Sequence, residues 1–363
     1  MKTKLLNIFI LFSISAFAQT NGDIDKALEI AQKAITLMDE GDIDQSIKLL
    51  SKAEKLDPAR IDYPYEIAYA YYLKKDYDES IKVSIRILSH QNVIDRVYQL
   101  LGNIYDETGN PDKAIETYEA GLNLFPNSGK LHLEAGVVEN SRDNYNKAIN
   151  YWESGIKAEP NYSSNYYWLA KTFSRTDERI WALLYGEIFI DLELGSKRTE
   201  EISKLLYENY QKSYVTLSDS TGEFQLTKKG FEITLESKKD LKQVKKKGLP
   251  FEGTFATVYS YSALGFQDGI NLESIYRTRL NFVNNWFKKH HKNYPNKLLD
   301  YQKRMMEAGV FEAYCYYFAS QGDLDSFNSW QNRNQDEFNE FADWVQNNHI
   351  GLESKDMYSR LDY

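Results

Sequence analysis

Small residues return along this chain at one fixed interval: Ala34, Ala68, Gly102, Gly136 and Ala170 each lie 34 positions after the last. Ser46, Ser80, Ala114, Ala148 and Ala182 keep the same interval, and so does a bulkier series, Leu37, Tyr71, Tyr105, Glu139 and Phe173. Pro58, Pro126 and Pro160 close three of the units, with Asn92 and Leu194 at the equivalent places in the other two. A unit this short cannot bury its apolar face alone, so its neighbours must stack on it. Helix axes approach to about 8–10 Å only where the contact residues are small, which is what the alanine, glycine and serine positions supply. A fourth series, Asp42, Asp76, Asn110 and Asn144, falls just before each second helix, where a side-chain oxygen can cap free backbone N–H groups.

The third unit carries a family likeness most fully: Leu101-Gly102-Asn103-Ile104-Tyr105, then Gly109, Ala114-Ile115-Glu116-Thr117-Tyr118, Gly121 and Pro126. The fourth repeats it with Ala135-Gly136, Tyr145, Ala148, Trp152, Gly155 and Pro160. These residues resemble the tetratricopeptide repeat family, whose period is also 34. The resemblance implies an all-α solenoid of about five helix-turn-helix units over residues 19–195. The fifth, with Gly186 and Phe189 where a bulky and a small residue belong, reads as a terminal, atypical repeat. In that family ligands lie along the concave face lined by the first, or A, helix of each pair. The resemblance places there Tyr65, Tyr69 and Tyr72 of the second unit and Arg96, Gln99, Asn103 and Asp106 of the third. It adds Lys130 and Asn140 of the fourth, and Tyr167, Lys171 and Arg175 of the fifth. Such a face, aromatic at one end and cationic at the other, suits a protein or peptide segment. The asparagine and lysine-arginine set with which chaperone-binding members clamp a terminal carboxylate is not completed around Asn103.

After Gly195 the 34-residue pattern stops while helical periodicity continues. Ser196 is placed to cap a helix over Arg198–Tyr214. Alternation through Phe224, Leu226, Phe231, Ile233 and Leu235 predicts a short β-hairpin at about 222–236, turning at Lys228-Lys229-Gly230. The lysines between Lys238 and Lys247 read as a solvated loop or helix end. Four aromatic-rich helical blocks follow, from Phe251 to about Leu264, Leu272 to His290, Lys297 to Ala319, and Leu324 to about Asn347. Together, 196–363 form a mainly helical domain whose aromatic residues supply its core. The last dozen residues read as a polar, frayed tail.

Lys2 and Lys4 lead an apolar run from Leu5 to Phe17 that ends in Ala16-Phe17-Ala18, the layout of a signal peptide over residues 1–18, cleaved after Ala18. An exported protein, periplasmic or extracellular, is the expectation. Cys315 is the only cysteine, so no intramolecular disulfide holds the fold. The formal charge of −9 argues against nucleic acid as a partner. No H-E-x-x-H, nucleophile elbow, phosphate-binding glycine loop or C-x-x-C occurs, so the sequence specifies no catalytic residue, metal or cofactor. His290 and His291 diverge by about 100° on a helix and cannot readily share a metal ion. The expected function is a non-catalytic scaffold. The alternative is a hydrolase or carbohydrate-binding domain in the C-terminal half, which requires a polar pocket with paired carboxylates or histidines between residues 196 and 348.

Overall fold

The computed structural model describes residues 22–218, 221–227, 250–263 and 269–363. The segment expected to be a signal peptide, the expected Lys228–Gly230 turn and the lysine run lie outside the described residues. The chain divides into two compact units, Met1–Val138 and Glu139–Tyr363. That division marks compactness, whereas residue 195 marks the end of the repeating sequence pattern.

The repeats build antiparallel helix pairs. In the first unit these are α1 (22–39) with α2 (Ile43–Leu56), α3 (Asp62–Leu73) with α4 (Tyr77–Leu88), and α5 (Asp95–Glu107) with α6 (Pro111–Leu124); α7 (Gly129–Ser141) follows. The 34-residue series do what their size predicts. Ala34, Ala68, Ser46, Ser80 and Ala114 are fully enclosed, and the Ser80 hydroxyl donates to the Ala68 carbonyl at 2.7 Å, so one small residue rests directly on another. At Gly102 an added Cβ would stand 2.2 Å from the Tyr118 ring. A further series, Gly41, Lys75, Gly109 and Asp143, again 34 apart, adopts positive φ (90°, 61°, 77° and 61°) in the turn between paired helices. The turn demands the left-handed region, which glycine enters freely and which lysine and aspartate occupy at some cost.

The expected caps hold in part. Asp42 accepts from the Gln45 N–H and Asp76 from the Glu79 N–H. Asn110 and Asn144 occupy the same positions without capping through their side chains. Their amides instead donate backward, to the Thr108 carbonyl and to Glu139. An amide that donates to the preceding turn turns its own oxygen away from the helix it precedes.

In the second unit, α8 (Tyr145–Ala158), α9 (Ser163–Phe173) and α10 (Arg179–Leu192) complete the repeat pattern. Helix α10 is not an exposed terminal cap: every residue from Ile180 to Ile190 is buried. The next helix, α11 (Lys197–Ser213), packs beside it, starting at Ser196 in a reciprocal capping box with Thr199, where the sequence placed it. Gly186 sits where α11 crosses, with Leu206 2.8 Å from a notional Cβ, which explains the small residue at that site.

A β-pairing lies ahead of the expected hairpin, whose second strand through Phe231, Ile233 and Leu235 is outside the described residues. Strand β1 (Tyr214–Ser218) runs antiparallel to β2 (Thr221–Phe224), with Tyr214 opposite Phe224. The chain then returns to α10, where the Ile180 N–H donates to the Leu226 carbonyl. The later helices are α12 (Phe251–Ser262), α13 (Leu272–Lys289), α14 (Lys297–Glu307), α15 (Phe311–Phe318), α16 (Leu324–Arg333) and α17 (Gln335–Asn347). Two of the four expected blocks are therefore each two helices. The first break is at Gly309, whose φ of 79° no helix accommodates, and the second is at Asn334, which ends α16 and precedes α17.

The aromatic residues do form a core: Phe255 and Phe282 lie 4.4 Å apart between centroids, with Trp286 and Tyr259 against them. Inside it sits one charged cluster. Glu187 of α10 accepts from Arg279 of α13 (2.7 Å), Gln302 of α14 (2.6 Å) and Tyr314 of α15 (3.2 Å), and neither charged side chain is exposed. Burial raises the Glu187 pKa, and the Arg279 guanidinium opposes that shift. A buried pair of this kind adds little net stability but fixes which helices meet.

The tail is not frayed. Tyr358 is fully buried and its hydroxyl donates to the Ile156 carbonyl at 2.7 Å. Arg360 makes two 2.9 Å bonds to Glu153, Lys157 pairs with Asp362 at 2.6 Å, and the Tyr363 ring stacks on Phe251 at 3.8 Å. The polar residues that made this segment look solvated are the ones that anchor it.

Candidate binding site

The A-helix residues named from sequence do share a face in the first unit. Tyr65, Tyr69 and Tyr72 of α3 are half-buried around Ala68, Leu100 and Ile104. The rings of Tyr69 and Tyr72 stack at 6.1 Å. The face is cross-linked from one repeat to the next. Tyr72 and Tyr77 both donate to Glu107. Gln99 donates to Glu134 at 2.8 Å. Arg96 lies over the Tyr65 ring at 4.7 Å and 3.8 Å from Asp62. Lys130 pairs with Asp95 at 3.4 Å. Asn103 is drawn inward, accepting from the Tyr118 hydroxyl at 2.6 Å.

These pairings change the character of the face. Its cations are matched by carboxylates, while Asp106, half-buried, lies beside Glu107 with its pKa raised by burial and then by that neighbouring charge. Burial likewise raises Glu134, against the Gln99 bond, and Glu66, against the nearby Arg96. The face in the first unit is phenolic and acidic. Asp62, Glu66, Asp95, Glu107 and Glu134 were not singled out in the sequence, although a search for complementary side chains 34 or 35 positions apart finds Tyr72–Glu107 and Gln99–Glu134.

In the second unit, Tyr167 and Lys171 of α9 both bond Glu201 of α11, with Lys171 at 2.7 Å. Lys171 also reaches the Tyr167 hydroxyl at 2.9 Å and lies 5.4 Å from the Trp168 ring centre. Burial raises the Glu201 pKa, but the bonds from Lys171 and Tyr167 outweigh it and leave the carboxyl below its ordinary value. Arg198 bonds Ser164, again 34 positions back. Thus α11 stands to α9 as one A helix stands to the next, although its sequence has lost the small-residue signature. Arg175 is exposed and Asn140 half-buried, and neither joins the Lys171 cluster.

Paired helices with small residues at 34-residue intervals, left-handed turns in register and bonds one repeat apart agree with two family matches. Models described as tetratricopeptide repeat match residues 31–83 and 95–128. Both stretches are tetratricopeptide repeats. Human tetratricopeptide repeat protein 21B is 28% identical over 146 residues, 40% of this chain and 11% of that protein. The soybean (Glycine max) Hsp70-Hsp90 organizing protein 1 is 24% identical over 156 residues, 41% of this chain and 27% of that protein. The chain therefore matches a minor part of these relatives' length. Among solved structures, Pseudomonas aeruginosa pilF aligns with a TM-score of 0.43 and 17% identity, covering 52% of this chain and 85% of that one. MamA aligns at 0.37 with 18% identity, covering 44% and 93%. The fold is all-α and of tetratricopeptide-repeat type.

Proposed function

We propose that this protein is a non-catalytic binding scaffold whose tetratricopeptide repeats hold a protein or peptide segment against the A-helix face of α3 and α5 and the start of α7. One observation carries the reading: a row of half-buried tyrosines beside carboxylates that burial has partly stripped of water. Such carboxylates gain most from an incoming donor, because their hydration is already incomplete. Tyrosines add large contact area at small entropic cost. The chemistry favours a segment with lysine or arginine beside apolar residues. The relatives point the same way, since the soybean protein is named for organising two other proteins.

The test is crosslinking capture by the native chain and by a variant changed at Tyr69 and Tyr72, both on that face. Loss of one specific partner from the variant supports the face. Retention of every captured partner refutes it. The proposal extends to location: Lys2, Lys4 and the Leu5–Phe17 run mark the chain for export to the envelope or beyond, as a mature form beginning at Gln19. Intact mass of the protein recovered from its own cells reads this directly, and a chain still beginning at Met1 would end it.

A further inference from the structure

Helices α13, α15 and α16 enclose a cleft of about 380 Å³ in the second unit. That volume is within the range of small-molecule sites. Glu273 at the start of α13 forms one side. Asp325, Ser326, Ser329 and Arg333, spaced along one face of α16, form the other, and Tyr316 of α15 lies between them. The cleft shares no residue with the A-helix face, so its fate is independent of the scaffold reading.

Tyr316 is the unusual member. Only 7% of it is exposed. Its ring stacks on Trp330 at 4.5 Å and 16°, and the Trp330 indole N–H donates to Glu312 at 2.9 Å, so this part of the wall is held rigidly. Yet no hydrogen bond from another described residue engages the Tyr316 hydroxyl. Most buried phenols find partners, as Tyr314 and Tyr358 do here, while the fully enclosed Tyr63 and Tyr259 hydroxyls have none among the described residues; Tyr316 differs from all four in lining a cleft. Tyr316 lines the cleft between Glu273 on one side and Arg333 on the other. Burial, followed by Glu273 and Glu312, pushes its pKa up to about 12, so at neutral pH it is an uncharged donor and acceptor.

The remaining lining decides what fits. Glu273 already accepts from Arg277, which leaves Asp325 and Arg333 as an opposed pair: a phosphate would meet the first and a free amine the second. A neutral molecule dense in hydroxyls meets no like charge: it donates to the carboxylates, accepts from the guanidinium, and exchanges bonds with Ser326, Ser329 and Tyr316. The Arg333 Nε is already fixed by the Ser329 carbonyl at 3.0 Å, leaving the outer nitrogens to face a ligand.

We propose that this cleft binds a neutral hexose, either free or as the end of a glycan chain. The test uses the full chain in saturation-transfer NMR and calorimetry. Glucose, galactose and N-acetylglucosamine are offered free, and then as cellotriose, β-galactotriose and chitotriose. Inorganic phosphate and lysine serve as charged probes. Saturable binding of at least one neutral sugar is expected, weakened roughly 5- to 20-fold by Tyr316→Phe, the usual worth of a buried hydrogen bond. Asp325→Asn, at an exposed position, gives a second reading of the same loss without disturbing the core. Tighter binding of the trisaccharide than of its monomer assigns a chain end, and equal binding assigns a free sugar. The proposal is overturned if no neutral sugar binds at about 10 mM, where a millimolar site is nearly full. It is overturned equally if both variants bind as the native chain does, or if phosphate or lysine alone binds.

Discussion

Replacing Arg360 with alanine tests the docking of the C-terminal segment most directly. The guanidinium makes two 2.9 Å bonds to Glu153, whose side chain has no solvent exposure and otherwise accepts from the Tyr185 hydroxyl at 3.0 Å. In the unfolded chain both groups are hydrated, so the variant's cost is that of a buried carboxylate left with a single phenol donor. Removing one partner of a fully buried pair costs about 3–5 kcal/mol. Arg360 is 34% exposed, and water entering its place recovers part of that. An expected loss of about 2–4 kcal/mol follows. The chain supplies its own assay, because all six tryptophans, at 152, 168, 181, 286, 330 and 344, lie in the second unit. Tryptophan fluorescence during urea unfolding therefore reports that unit alone. Arg360→Lys, keeping the charge but losing the two-pronged geometry, should lose about half as much. Combining Arg360→Ala with Glu153→Gln should cost less than the two single changes added together, since the same pair is broken in each. A shift under about 0.5 kcal/mol for Arg360→Ala, the size of an ordinary surface change, would refute the docked tail.

Gly102→Ala should lower stability by about 1–3 kcal/mol, because its methyl group meets the buried Tyr118 ring; thermal unfolding followed by far-ultraviolet circular dichroism measures it. Gly41→Ala, in open space at φ 90°, should cost only about 1 kcal/mol from the backbone. Cys315, buried with its thiol pKa pushed well up by that burial, should resist a disulfide reagent until denaturant is added, and rapid labelling of the native chain would contradict the core. Asp191 has its carboxyl pKa raised well above the ordinary range, by burial first and then by the neighbouring Glu187 charge. A raised acid pKa means that its stabilising contribution is complete below the unfolded value near 4 and is lost as pH rises through the folded value. Asp191→Asn should thus flatten the fall in the fluorescence midpoint between about pH 4 and pH 8, and an unchanged slope would count against it.

What could be read from sequence was whatever the 34-residue period repeats. Ala34, Ala68 and Ala114 are enclosed as their spacing required, and Ser196 caps the helix expected of it. A repeated position is tested several times within one chain, so a chance residue stands out. The docked tail has no such repetition, because Arg360 and Tyr358 meet Glu153 and Ile156 across some two hundred residues, and polar composition alone suggests solvent. The charge balance of the A-helix face was half legible. Arg96 and Lys130 look free when read one at a time and are matched once Asp62 and Asp95 are placed beside them. Asn110 and Asn144 show the opposite limit: the residue type was right for a cap, but an amide can also donate, and in both positions it does. Helix α11 keeps the geometry of a repeat through Arg198 and Glu201 after its small residues have gone, so a search for alanine and glycine stopped one helix too early.

The enclosure of α10 from Ile180 to Ile190 also bears on how such a chain can grow. Repeat arrays lengthen by duplication, and an open end accepts a copied unit because the copy simply continues the stack. After Leu192 no such end exists: α11, the Glu187–Arg279 cluster and the aromatic helices already occupy the surface a copy would need. Length variation among descendants of this gene is therefore expected within the repeats that precede α10, with the boundary at α10 kept constant.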